Sequence, residues 1–217
     1  FYPIPADEAK EFIGIPREDR MLLFVGRIEP LKGVDTLIKA IAQLRQQGVF
    51  EKDRYCLSVI GGEPYLSPQA LSDEMLRLQE MRAQYGLGDL VAFLGRRSQD
   101  TLPYYYSAAD AVVMPSHYES FGMVALEAMA CGTPVVASEV GGLAFLVKDG
   151  ETGFTVPADA PDELAGRLQE LIENSALRQK MGRQAAEFAR QYAWERIAER
   201  IKGLYQEVLG VGEPVEE

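Results

Sequence analysis

The chain has 217 residues, 47% hydrophobic and 25% charged, with a formal charge of −11 at neutral pH. That is enough chain for one substantial core and the composition of an ordinary soluble globular protein, with no apolar run long enough for an integral membrane segment. The acidic balance excludes broad nucleic-acid binding, which draws its affinity from Lys and Arg neutralising phosphates, so any anion site must be a local pocket.

Met21–Val25 is a short apolar run that stops at Gly26, and Val34–Gln47 follows with Leu37, Ile38, Ile41 and Leu44 at helical spacing. The alternation returns with Cys56–Ile60, Leu76–Tyr85, Val91–Leu94, Leu102–Ala108, Ala111–Met114, Gly122–Ala130 and Val135–Ala137. Strands this apolar are covered on both faces, so the expected fold class is α/β, a parallel sheet flanked by helices. In such sheets ligands bind beyond the carboxyl ends of the strands, and the segments just after each strand carry the interest.

The last third changes character. Pro161 suits a helix first turn, and Leu164, Leu168, Leu171 and Ile172 give Asp162–Glu173 an apolar stripe. Ser175 is the expected cap of a second helix through Leu177, Met181, Ala185, Phe188 and Tyr192, and Trp194–Leu209 reads as a third. Aromatics at this spacing are packing surface, not a cofactor box. Gly210–Glu217 is polar and expected to fray.

Cys56 and Cys131 are far apart and flanked by small or apolar residues, which suits two reduced, buried thiols in a cytoplasmic protein. His117 is the sole histidine, cannot build a multi-histidine metal site, and is read as structural.

Two segments could carry chemistry. Gly26-Arg27-Ile28-Glu29-Pro30-Leu31-Lys32-Gly33 lies where the first strand gives way to the first helix. Gly26 allows close approach to the backbone, and Arg27 as a planar fork with Lys32 as a point charge can reach a diphosphate from two directions. The plainer alternative is an exposed loop with two solvated cations. Glu119-Ser120-Phe121-Gly122-Met123-Val124-Ala125-Leu126-Glu127 follows the strand Ala111–Met114 and opens a helix near Gly122. The backbone from Phe121 to Val124 is then an anion site at a helix N-terminus. Glu119 precedes that helix and Glu127, eight positions on, lies within it among Ala125, Leu126, Ala128, Met129 and Ala130, where a carboxylate needs a partner. The alternative makes Glu119 a helix-start acid and Glu127 a surface residue.

FVGRIEPLKG, ESFGMVALE with its glutamates eight positions apart, ACGTPVVAS, and GGL followed by DGETGF together resemble the C-terminal domain of glycosyltransferase family 4, over about Met21 to Trp194. Within that family the wording is most similar to sucrose-phosphate synthases and the glycosyltransferase that begins mycothiol synthesis. The resemblance implies a Rossmann-like sheet forming the C-terminal half of a GT-B fold. Residues 1–20 would be the linker from a missing N-terminal domain that binds the acceptor, 21–209 the nucleotide-sugar-binding domain, and 210–217 a frayed tail.

It further implies that Arg27 and Lys32 neutralise the donor diphosphate, that Glu119 holds sugar hydroxyls, and that Glu127 binds the ribose. Gly26, Gly61 and Gly62 would lie close to the donor, Gly95 and Arg96 would line the base pocket, and the amides of Phe121, Gly122, Met123 and Val124 would contact sugar and phosphate oxygens. The donor favoured by the resemblance is UDP-glucose, transferred with retention of configuration. No Asp-x-Asp motif occurs, so neither a metal nor any other cofactor is expected, and no G-x-G-x-x-G follows a strand. Two rival readings are a non-catalytic sugar-nucleotide-binding module and a GT-B-like epimerase or phosphorylase. The first has no need of both cations and both glutamates, and the second lacks a pyridoxal-binding lysine motif.

Overall fold

Six short apolar segments pair as a parallel sheet in the computed structural model, which describes residues 1–51, 53–63 and 71–210. They are β1 (Arg20–Val25), β2 (Tyr55–Ile60), β3 (Val91–Gly95), β4 (Ala111–Met114), β5 (Val135–Ser138) and β6 (Gly153–Val156). The alternating side chains of one strand feed two cores. Leu22 and Phe24 of β1 pack on one face with Leu37, Ile41 and Val59, and Leu23 and Val25 pack on the other with Val112, Ala125 and Ala128. Burial on both faces is what produces strands that read as continuous apolar runs.

The α-helices among the described residues are α1 (Ala6–Ile13), α2 (Val34–Gln46), α3 (Asp73–Gln84), α4 (Leu102–Ala108), α5 (Met123–Ala130), α6 (Leu143–Leu146), α7 (Pro161–Glu173), α8 (Ser175–Ala189) and α9 (Trp194–Leu209). Residues of α2, α3 and α7 fill the first core, and those of α4, α5 and α6 fill the second. Each helix from α2 to α5, and α7 and α9, falls within a few residues of its sequence-based position.

Three elements have no counterpart in the sequence reading. Helix α1 packs on α4, with the Phe12 and Tyr104 rings stacked at 3.8 Å between centroids. Helix α6 and strand β6 span four residues each, too few to show a period, and β6 exists because β5 offers it a pairing edge. One cap is corrected. Asn174 rather than Ser175 caps α8, its side chain accepting from the Leu177 amide at 3.0 Å, because Ser175 is already the first helical residue. Cys131 is buried and Cys56 only half-buried, both as free thiols. The segment 211–217, expected to fray, lies outside the described residues.

The strand order is β3-β2-β1-β4-β5-β6. The chain builds outward from β1 in one direction, then returns to pair β4 on the other side of β1. Connections leaving β1 and β4 therefore diverge to opposite faces, and a crevice opens between them at the carboxyl edge.

Candidate functional site

The loops leaving β1 and β4 meet at that crevice, and a glycine makes the meeting possible. Gly33 has φ +63°, and a Cβ there would lie 2.0 Å from the Pro115 carbonyl oxygen. The His117 amide donates to the Leu31 carbonyl at 2.9 Å, which fastens the two loops. Packed in this way, the Lys32 Nζ donates to Glu119 Oε2 at 2.6 Å, the two side chains only 18% and 14% exposed. Burial pushes the Glu119 pKa up, but the Lys32 hydrogen bond and charge and the amides of Phe121 and Gly122 outweigh it and hold the carboxyl below its ordinary value.

Those amides are part of the anion site expected at the start of α5. Helix α5 begins at Met123 with Gly122 as its cap, at φ +97°. Both amides favour the ionised form of Glu119, the preference expected of a carboxylate beside a helix start. Glu119 is therefore bonded to the cation across the crevice, and its charge is favoured by the helix start beside it.

Arg27 occupies a different setting. Its guanidinium is 76% exposed and pairs with Glu29 at 2.8 Å at the wall of a cavity of 710 Å³. Gly26, Gly61, Gly62 and Arg96 line the same cavity, together with Ile28, Glu63, Ser72, Met75, Arg97 and Leu102. Gly61 and Gly95 are bridged through their backbones, and Arg96 lies 3.5 Å from Glu63.

Glu127 lines a second cavity, of 800 Å³, whose walls include Phe121, Met123, Gln99 and Trp194. Its required partner is Tyr106, whose hydroxyl donates to Glu127 Oε2 at 2.8 Å. Burial raises the Glu127 pKa above its ordinary value, against the Tyr106 hydrogen bond. Val124 is half-buried and packs against the second core. The structure thus gathers Gly26, Arg27, Gly61, Gly62 and Arg96 at one cavity and Phe121, Met123 and Glu127 at another, with the Lys32–Glu119 pair joining the β1 and β4 loops.

Sequence reasoning missed Glu29, Glu63 and Tyr106. The two glutamates stand beside cations and could have been suspected as counter-charges. Tyr106 is one of three consecutive tyrosines, 104–106, and nothing in the string says which one reaches Glu127. Among the described residues, no group of three or more His, Cys, Asp or Glu is placed to hold a metal ion, and no helix is long and apolar enough to cross a membrane.

Strand order and crevice define a Rossmann-like α/β domain. The chain belongs to the family described as Glycosyl transferases group 1, which matches residues 5–188. It is 39% identical over 208 residues to a D-inositol 3-phosphate glycosyltransferase of Streptomyces bingchenggensis, covering 94% of this chain and 45% of the relative. Sucrose-phosphate synthase of Thermosynechococcus elongatus superposes with a TM-score of 0.83 at 38% identity, over 98% of this chain and 50% of the other. An Anabaena protein solved with UDP and glucose superposes with a TM-score of 0.73 at 28% identity, over 91% of this chain and 52% of its own. The chain spans about half the length of these relatives, and its architecture is that of the C-terminal half of a GT-B fold.

Proposed function

We propose that the chain is the donor-binding half of a retaining glycosyltransferase, which moves glucose or a close relative from a nucleoside diphosphate sugar to an acceptor held by the other half of its parent protein. The observation that carries this reading is the Lys32–Glu119 contact at the switch point of the sheet, with the Arg27 cavity beside it. A cation for a diphosphate and a carboxylate for sugar hydroxyls are both at the carboxyl edge of the strands. Relatives named as glycosyl-transferring enzymes support the reaction class, and the Anabaena neighbour that holds UDP and glucose supports a uridine donor.

In this mechanism Arg27 leaves Glu29 to fork onto the diphosphate, and Lys32 meets it from the other side. The leaving diphosphate gains negative charge as the glycosidic C–O bond breaks, so fixed cations and the α5 amides stabilise the transition state more than the ground state. Glu119 turns to the sugar hydroxyls and Glu127 to the ribose. The two cations take the place of a divalent metal, and retention comes from attack on the face the diphosphate leaves. A cytoplasmic setting fits a sugar-nucleotide donor and free thiols.

Calorimetric titration with UDP, GDP and ADP in excess chelator tests the reading, with UDP expected to bind most tightly. Binding that requires magnesium would remove the metal-free mechanism, and a folded chain that binds no nucleoside diphosphate would remove the donor-half assignment itself.

A further inference from the structure

Tyr106 lies in α4 at 0% exposure, and its hydroxyl is spent on one acceptor, Glu127 Oε2 at 2.8 Å. The tyrosine is itself anchored. Thr133 Oγ1 donates to its carbonyl at 2.6 Å, and the ring of Phe1 meets its ring edge-on at 5.8 Å between centroids. Among the described residues Tyr106 is the one side chain that donates to the Glu127 carboxylate, through Oε2, and Glu127 lines the 800 Å³ cavity. Burial, followed by the charge of Glu127, raises the phenol pKa far above its ordinary value, so the hydroxyl keeps its proton and remains a donor.

A glutamate has three side-chain torsions, and holding it in one rotamer costs entropy that a ligand must otherwise supply. A donor on a buried, anchored ring supplies that order before any ligand arrives. We propose that Tyr106 is a positioning residue for donor recognition, fixing one Glu127 oxygen so that the other meets the vicinal hydroxyls of the donor ribose. This deepens the function proposed above and rests on it, through the role of Glu127 as the ribose contact.

The test compares UDP with 2′,3′-dideoxy-UDP on Tyr106→Phe, Glu127→Ala, the double variant and Thr133→Val. Glu127→Ala is expected to weaken UDP by about 10- to 100-fold and the dideoxy compound hardly at all, the loss of hydrogen bonds to a charged group. Tyr106→Phe keeps the ring and its packing and is expected to weaken UDP alone, by about 3- to 10-fold, with no added loss in the double variant. Thr133→Val loosens the anchor but keeps the hydroxyl, and is expected to weaken UDP less than Tyr106→Phe does and again to spare the dideoxy compound.

Equal losses for both ligands in Tyr106→Phe, or no loss for either, would make Tyr106 a packing residue and overturn the proposal. If Glu127→Ala itself fails to distinguish the two ligands, the ribose role of Glu127 falls, and the positioning role of Tyr106 with it. The donor-half reading would survive that result, because UDP binding to the unaltered chain tests it separately.

Discussion

Lys32 and Arg27 share a proposed ligand but not an environment, and replacing them should separate the two roles. Lys32→Ala removes a cation and leaves the 14%-exposed Glu119 carboxylate without its partner, so both UDP affinity and melting temperature should fall. An affinity loss of about 10- to 100-fold is expected, the range for a hydrogen bond to a charged group. The exposed Arg27–Glu29 pair contributes about 0 to 1 kcal/mol to stability, so Arg27→Ala should weaken UDP while hardly moving the melting temperature. Titration and thermal melts on both variants check the contrast. The two glutamates differ in sign. Glu119 has a lowered pKa, so its stabilisation is present above the ordinary value of 4.5 and is lost as pH falls through the lowered value. Glu119→Gln should therefore lose that acid-side dependence and melt lower than the parent at neutral pH. Glu127 has a raised pKa, so the stability linked to its proton is present below 4.5 and is lost as pH rises through the raised value. Glu127→Gln keeps an acceptor for Tyr106 and should melt a few degrees higher at neutral pH, the gain closing below pH 4.5. Melting curves across pH that run parallel for parent and variant would contradict either account.

At the scale of elements, the site depends on loops whose backbones nearly touch. Gly141 precedes α6 with φ +45°, and a Cβ there would lie 2.0 Å from the Glu119 carbonyl oxygen, while the Gly142 amide donates to that same oxygen at 3.0 Å. Gly141→Ala should push the Glu119 loop away from Lys32, lowering both melting temperature and UDP affinity. Gly150→Ala is the control. It also sits at positive φ, +75°, but its added Cβ meets nothing within 4 Å, so it should cost only the backbone strain of about 1 to 2 kcal/mol and leave affinity alone. Equal affinity losses in the two variants would show that general destabilisation, not the Glu119 loop, sets binding. The same scale explains what could be read in advance. Strands β1, β4 and β5 are legible because burial on both faces makes them almost wholly apolar, β2 and β3 because most of their residues are apolar, and α2 and α7 because each buries one stripe. Strand β6 is specified by its pairing to β5, and α1 by its packing on α4, contacts between segments remote in the chain.

At the scale of the molecule, α9 has no buried residue, and Trp194, Ile201, Leu204 and Val208 are exposed on it. With about half of each relative's length covered, the proposed acceptor half lies in the remainder of such a parent protein. The isolated chain should bind UDP-glucose yet transfer little of it, because catalysis by positioning needs both reactants held, and its loss forfeits about 7 to 11 kcal/mol of barrier lowering. A rate assay with and without the preceding half checks this, and robust transfer by the 217 residues alone would place the acceptor site within them. The sequence by itself determined the α/β class, the family and the loops that carry Arg27, Lys32 and Glu119, because these depend on short-range patterns: apolar runs, helix spacing, and glycines and cations just after strands. Only the tertiary structure decided that Lys32 lies on Glu119 and that Tyr106 is the tyrosine holding Glu127. Those contacts join residues 87 and 21 positions apart, and their geometry follows from how the sheet order brings β1 and β4 together and how α4 packs beside α5, which no local pattern encodes.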